Sequence, residues 1–236
     1  MPHIVVHHLN QSRSDRLFWL LEELNLPYQV KVHYRTPQGR APTSLTEVSP
    51  LGKAPVVEVD GKVVTESGFI THYLLKHLNS GLPDLETSAS EDSVFWNHFS
   101  EGSLMLHLQG GITAMKVQQG FASFKVLYLL LFFQKGASAL AEYIQNITKD
   151  NVKPMLAEVD RFLEKNHNFS GSDKLGEGDF MMLYPLDSIA RGTRKGEYEL
   201  GHATKRWLDG VQARPAYQRA RERIAQEEAG QKAAKL

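Results

Sequence analysis

Cysteine is absent from all 236 residues, which excludes a disulfide framework, a CxxC redox pair, a thiolate zinc site and a thiol nucleophile belonging to the chain. Any thiol chemistry must use a sulfur that another molecule brings. An excess of charge is also absent. Lys plus Arg and Asp plus Glu number 27 each, and the charged blocks are short and mixed, so the electrostatic footprint of a nucleic-acid or anionic-lipid binder is missing and no nucleic-acid partner is expected. Long apolar runs are missing too: VLYLLLFF at 126–133 has eight residues, whereas a helix needs roughly 20 to cross a bilayer. That run reads as the buried middle of a helix, and no transmembrane segment is expected. The opening MPHIVVHHLN lacks a basic flank and a long apolar region, so it is not read as a secretory signal. The sequons NIT at 146–148 and NFS at 168–170 are then read as chance.

What is present falls into a clear order. Residues 3–9 (HIVVHHL) are short and rich in β-branched side chains, which favours a strand. In LNQSRSDRLFWLLEELNLPYQV, residues 9–30, a polar turn leads into a helix. Leu17, Leu20, Leu21 and Leu24 recur there at helical spacing, while Asp15, Glu22 and Glu23 lie off that stripe. Residues 28–34 (YQVKVHY) read as a second strand, and a strand, helix, strand unit implies a right-handed crossover with parallel pairing. After a loop with Pro37, Gly39 and Pro42, the runs PVVEV and KVVT flank Asp60-Gly61, a strong hairpin signal. ESGFITHYLLKHL, residues 66–78, places Phe69, Ile70, Tyr73, Leu74 and Leu78 on one helical face. NSGLPDLETSAS, residues 79–90, has no periodicity and suits a linker.

Beyond it nearly everything is helical in pattern. Val152, Met155, Leu156, Val159, Phe162 and Leu163 mark one amphipathic helix, and Trp207, Leu208 and Val211 before Arg214-Pro215 mark two more near the end. The expected fold class is α/β plus all-α: a β-α-β-β-β-α domain over residues 1–80, a linker over 81–92 and a helical bundle over 93–236.

Three local matches carry a resemblance. Ser12 sits between the first strand and first helix, four residues before Arg16; Ser49-Pro50-Leu51-Gly52-Lys53-Ala54-Pro55 precedes the third strand; and Glu66-Ser67 opens the third helix. In this order, and with RPAYQRARERI near the end, the chain resembles the glutathione transferases over essentially its whole length. The block HHLNQSRSDRLFWLLEELNLPYQV looks most like serine-type fungal and bacterial members, including a fungal group associated with endoplasmic-reticulum membranes. The resemblance implies a thioredoxin-like first domain, a helical second domain that holds the electrophile, and a homodimer. One position departs from the family's pattern. Gly176-Glu177-Gly178-Asp179 stands where a Ser/Thr-x-x-Asp capping box opens the central helix; glycine at that cap costs only a few tenths of a kcal/mol, and Asp179 can still reach back to a backbone N–H.

The resemblance also implies roles. Glu66 would meet the γ-glutamyl ammonium of glutathione and Ser67 the adjacent carboxylate, beside backbone N–H groups at a helix start. Both residues also simply favour that helix start. Pro55 would follow a cis bond and leave the Ala54 backbone to pair with the cysteinyl backbone like an added strand. Lys53 and Arg40 would offset the glycyl carboxylate, Arg40 being equally readable as a solvated loop side chain. Met105, Met115, Phe121, Phe124 and Tyr128 would border the electrophile pocket, although each also reads as ordinary helical core.

Ser12 would be the catalytic residue, as a hydrogen-bond donor to the bound thiolate. Attack by Ser12 itself would need a positioned base and an oxyanion hole, and no G-x-S-x-G elbow surrounds it. Lowering a thiol near pKa 8.5 by about two units takes roughly 2.7 kcal/mol, and one charge-assisted hydrogen bond contributes about 1.5 to 3 kcal/mol. Ser14 stands directly before the helix and reads as its N-cap, which leaves Ser12 free of capping. Asn10, Gln11 and Ser14 remain alternative donors to the sulfur.

Ten histidines invite a metal reading, yet His7 and His8 point to opposite faces of a strand, His72 and His77 are five apart, and no H-E-x-x-H occurs. No metal is expected, and glutathione enters as co-substrate. The implied activity is conjugation of glutathione thiolate to hydrophobic electrophiles in detoxification and stress response. Glutathione-dependent peroxidase or disulfide reductase action at the same site, and a non-catalytic ligand-binding or interaction role on the same fold, are the rival readings. A cytoplasmic location is expected. Ala234-Lys235-Leu236 lies close to a peroxisomal address, and association with the endoplasmic reticulum follows from the resemblance.

Overall fold

The structure is a computed structural model that describes residues 1–122, 128–192 and 194–233. The first elements are β1 (Ile4–Leu9), α1 (Asp15–Glu23), β2 (Gln29–His33), a short α2 (Thr43–Thr46), β3 (Val56–Val59), β4 (Lys62–Thr65) and α3 (Ser67–Leu78). The strands make one sheet in the order β2-β1-β3-β4. β1 runs parallel to β2, as the crossover predicts, and antiparallel to β3, while the Asp60-Gly61 turn joins β3 to β4. This is the expected thioredoxin-like arrangement, with α2 added in the loop.

Every residue of β1 is buried because both faces of this central strand are covered. Ile4 and Val6 join the main core, while Leu9 packs with Val56 and with Leu45 of α2 on the other side. His7 and His8 take opposite faces. His7 Nε2 lies 2.6 Å from Glu58 Oε1 and its Nδ1 lies 3.0 Å from His33 Nε2; burial lowers the His7 pKa. Among the described residues no three His, Asp or Glu side chains form a metal-holding group.

The helical part comprises α4 (Glu91–Phe99), a π-helical turn (Ser100–Met105) running into α5 (Leu106–Ala122), then α6 (Tyr128–Lys165), α7 (Glu177–Ala190), α8 (His202–Ala213) and α9 (Pro215–Ala233). The expected amphipathic stripe is there in α6, with Val152, Val159 and Leu163 fully buried. Of the run at 126–133, residues 128–133 lie in α6, and 126–127 lie outside the described residues. Pro215 begins α9, where a missing N–H costs nothing, so the break at Arg214 follows from the sequence. Residues 79–90 do not float between two bodies. Leu85 is buried and bridges to Leu175, with Glu86 N–H donating to Leu175 C=O at 2.9 Å and Leu175 N–H to Asp84 C=O at 2.8 Å.

α1 is buried on more sides than its leucine stripe predicts, because the sheet, α7 and α9 all pack on it. Arg16, Phe18 and Trp19 are as buried as the leucines, and the Trp19 ring centre lies 4.5 Å from that of Phe180 on α7. Its acidic face, expected off the core, meets α9: Arg214 Nε lies 2.5 Å from Glu23, Arg219 Nε 2.8 Å from Glu22 and Arg221 Nη1 3.2 Å from Asp15.

The start of α7 explains the glycine that replaces a hydroxyl cap. A Cβ at Gly176 would collide with Glu86 Oε2 and Ser93 Oγ. Asp179 performs the capping instead, accepting from Gly176 N–H at 2.9 Å, Phe169 N–H at 2.8 Å and Trp207 Nε1–H at 3.2 Å. Burial pushes its pKa up to about 7 against the pull of these three donors. Asp179→Ala leaves three donors without their acceptor, each at about 1–3 kcal/mol, so a stability loss of at least about 3 kcal/mol is expected. A lowered urea midpoint at unchanged m value is the readout.

Candidate active site

Two cavities flank the start of α1. The larger, about 790 Å³, lies between the β3–α3 side of the sheet and the α4 and π-turn segment. Lys53, Ala54, Pro55, Glu66 and Ser67 all line it. The Ala54–Pro55 bond is cis. Glu66 stands at the N-cap of α3 with φ +69° and ψ +117°, its carbonyl accepting from Ile70 N–H at 2.8 Å and its side chain making no cap bond. A side chain held in such a backbone region costs of order 1–3 kcal/mol, so the strain is kept where an exposed carboxylate enters a cavity. Ser67 is buried beside it as the first residue of α3.

Arg40 does not join them. It is exposed and closes the turn at 36–40, where its carbonyl accepts from Thr36 N–H at 2.9 Å and its own N–H donates to Thr36 Oγ1 at 3.2 Å. Asn10 is occupied elsewhere, its Oδ1 accepting from Arg35 N–H at 2.8 Å.

Ser12 and Gln11 line the smaller cavity, about 180 Å³, whose other walls come from α1, α7 and α9. Arg16 stands between the two cavities. Its guanidinium is fully buried, with Nη2 3.0 Å from Glu101 Oε1 and Nη1 3.1 Å from Met181 Sδ, and it sits 5.2 Å over the Tyr184 ring. Arg16 lines the smaller cavity and its two partners line the larger. Burial lowers the Arg16 pKa and Glu101 pulls it back up. Arg13, between Ser12 and Ser14, is the residue of this turn that lines the larger cavity, 3.2 Å from Glu101.

The cap bond expected of Ser14 is not made, although Ser14 occupies the N-cap position. Its hydroxyl is drawn instead to His8 Nδ1, 2.7 Å away, and to Ser12 Oγ at the same distance. Ser12 is the one that holds a backbone group, accepting Ser14 N–H at 3.2 Å. Ser14 itself has helical angles, φ −64° and ψ −20°, whereas a side-chain cap needs an extended backbone at that position.

Of the residues expected around the electrophile, Met105 is buried at the end of the π-turn and Met115 half-buried on α5. Neither lines the two cavities described. Phe124 lies outside the described residues, and the side chains of Phe121 and Tyr128 do as well. The sequence reading missed several residues of the larger cavity. Asn97 Nδ2 donates to Glu177 at 2.5 Å, and His72 Nδ1 lies 3.3 Å from the other oxygen of that buried carboxylate. Gly68 allows this approach, since a Cβ there would stand 2.5 Å from Asn97 Oδ1. These contacts join α3, α4 and α7 across 80 to 105 positions, which no local pattern shows; a glutamate between two glycines at a helix start is the only trace in the sequence.

Comparison with known proteins accords with this geometry. The family model described as glutathione S-transferase, N-terminal domain, matches residues 1–76. Glutathione S-transferase 3 of Schizosaccharomyces pombe is 33% identical over 94% of this chain and 88% of its own length. Glutathione S-transferase 1 of Saccharomyces cerevisiae is 30% identical over 94% of this chain and 96% of its own. Among solved structures, a glutathione S-transferase from Actinobacillus pleuropneumoniae superposes with a TM-score of 0.69 at 25% identity, over 93% of this chain and 92% of the other. Likeness of this extent, with the same two-part architecture, shows that the chain belongs to the glutathione S-transferase family.

Proposed function

We propose that the chain conjugates glutathione to hydrophobic electrophiles, with the peptide lying in the larger cavity and its sulfur directed to the N-terminal end of α1. The observation that carries this reading is the gathering of Lys53, Ala54, Pro55, Glu66 and Ser67, residues spread over 15 positions, on one cavity wall. Each offers what one part of glutathione needs: a carboxylate for the α-ammonium, a hydroxyl and helix-start N–H groups for the α-carboxylate, an extended backbone for the cysteinyl amide, and a lysine for the glycyl carboxylate. The helical part begins after the docked segment at 79–90 and supplies the opposite wall. Catalysis then rests on positioning and on thiolate stabilisation. Ser12, on the smaller cavity's side of Arg16, serves as the hydrogen-bond donor, and Arg13 adds positive charge on the larger cavity's side.

The fold buries little at one rim of that cavity. Leu51, Phe69 and Val94 line it, and with Phe95 they remain 40 to 68% exposed. A contiguous apolar rim marks an interaction surface, and we assign it to a second copy of the chain. A wild-type protein that sediments as a dimer, and a Phe69→Ser/Phe95→Ser double variant that sediments as a monomer, are the expected results.

Retention of the protein on immobilised glutathione and turnover of an aryl halide test the main reading. Ser12→Ala should raise the pKa of bound glutathione by about one to two units, the equivalent of a charge-assisted hydrogen bond of about 1.5–3 kcal/mol. Full activity with an unchanged thiolate pKa would rule the role out. Glu66 separates binding from stability: Glu66→Gln should raise the KM for glutathione about tenfold through loss of one charged hydrogen bond. Glu66→Gly should do the same while raising stability by up to about 1 kcal/mol, because glycine adopts positive φ without strain. Thermal unfolding alongside the kinetics checks both.

A further inference from the structure

Behind Ser12 runs an unbroken line of hydrogen bonds. Ser12 Oγ lies 2.7 Å from Ser14 Oγ, Ser14 Oγ 2.7 Å from His8 Nδ1, and His8 Nε2 2.9 Å from Glu228 Oε1. Three elements supply it: β1, the turn before α1, and α9. His8 and Ser14 are fully buried, Ser12 opens on the smaller cavity, and Glu228 is partly exposed. An ionised carboxylate only accepts. Glu228 therefore selects the His8 tautomer with its proton on Nε2 and leaves Nδ1 as an acceptor. Ser14 then donates to His8 and Ser12 donates to Ser14. Since a hydroxyl has one proton and two acceptor positions, and one acceptor position of Ser12 holds Ser14 N–H at 3.2 Å, Ser12 in this state has no proton to offer a thiolate. It has a lone pair to offer a thiol.

We propose that this line is the acceptor for the glutathione thiol proton, with Ser14, His8 and Glu228 acting as positioning residues for Ser12. The inference rests on the reading that Ser12 is the sulfur's partner. The thiol gives its proton to Ser12 Oγ as Ser12 passes its own to Ser14 and Ser14 passes its own to His8 Nδ1. One S–H and two O–H bonds break; two O–H bonds and one N–H bond form. A neutral thiol and a neutral imidazole become a thiolate and an imidazolium. The line now runs the other way, so that His8 donates to Ser14, Ser14 to Ser12, and Ser12 to the thiolate. One transfer both removes the proton and converts Ser12 from acceptor to donor. The imidazolium is held against Glu228, and the other charged groups facing it are Asp15, 4.0 Å from Nδ1, and Arg221, paired with Asp15 at 3.2 Å. Its proton leaves to water through Glu228, the exposed end.

The test compares wild type with Ser14→Ala, Glu228→Gln and Ser12→Ala, using the pH profile of kcat/KM for glutathione, ultraviolet titration of the bound thiolate, and thermal unfolding. Ser14→Ala and Glu228→Gln should move the acidic limb of the profile upward by about one unit, a tenfold loss of kcat/KM on that limb, with KM at the plateau unchanged. A wild-type limb in a folded Ser14→Ala or Glu228→Gln variant overturns the relay. Should Ser14→Ala fail to fold, Glu228→Gln decides alone. The two readings separate: an impaired Ser12→Ala beside normal Ser14→Ala and Glu228→Gln removes only the relay, whereas a fully active Ser12→Ala removes the role of Ser12 and the relay with it.

Discussion

The docking of α9 across α1 is the contact on which the rest of the site depends. Tyr217, Ala220 and Ile224 bury their apolar surface in the same core as Trp19 and Leu20, and that burial holds the helices together. The three arginine–carboxylate pairs along the seam add little energy, since partly exposed pairs contribute about 0–1 kcal/mol each. Their effect is on register. With Arg214, Arg219 and Arg221 matched to Glu23, Glu22 and Asp15, the end of α9 reaches two places on the N-terminal sheet. Gln231 accepts Val32 N–H at 2.8 Å and donates to Val30 C=O at 2.9 Å, covering the open edge of β2, an edge that would otherwise invite pairing with another chain. Glu228 reaches His8. The C-terminal helix thus completes the N-terminal sheet and roofs the smaller cavity.

A second constraint is the buried charge of Arg16. An unpaired guanidinium in the core would cost several kcal/mol, and its partners come from the helical part: Glu101 on the π-turn, Met181 on α7 and the face of Tyr184. The π-turn inserts an extra residue into the helical path, a feature that often marks functional positions. Here it carries Glu101, which meets both Arg13 and Arg16. Ser100 anchors the same turn, its hydroxyl donating to Met181 C=O at 2.7 Å. The seam between the two parts of the fold is therefore fixed by charge at the residue that separates the two cavities.

Much of the fold was legible because it rests on local periodicity. Alternating β-branched runs, Asp60-Gly61 and the leucine stripe of α1 each name an element without reference to the rest, and Arg214-Pro215 marks a boundary by a missing donor. Residues 53–55 and 66–67 are named through the family resemblance, and they share one cavity wall because each motif sits at the end of one element. What was hidden depends on distant pairing. Arg40 is named from the family resemblance, with a solvated loop side chain as the equal reading; it is exposed, and its backbone closes the turn at 36–40. Ser14 looked like a cap because its place before the helix is a local property; the imidazole that meets its hydroxyl is six positions back and comes near only when β1 and α1 pack. Glu177, Asn97 and Glu101 contribute through elements that touch only in the folded chain.

The bond between the two serines bears on the energetics of thiol activation. The sequence-level estimate asks one hydroxyl to supply roughly the 2.7 kcal/mol that a shift of two units requires, which assumes that its proton is free to face the sulfur. In the neutral line of Glu228, His8, Ser14 and Ser12 that proton is committed to Ser14. An isolated donor would have to break that bond before stabilising the thiolate, giving back about 0.5–1.5 kcal/mol of the gain. A line that reverses when it accepts the proton loses no bond: each hydroxyl keeps a donor and an acceptor contact in both states, and His8 Nδ1 turns from acceptor to donor while Nε2 goes on donating to Glu228. A chain without cysteine that borrows its sulfur thus has a reason to place two serines, rather than one, between its first strand and first helix.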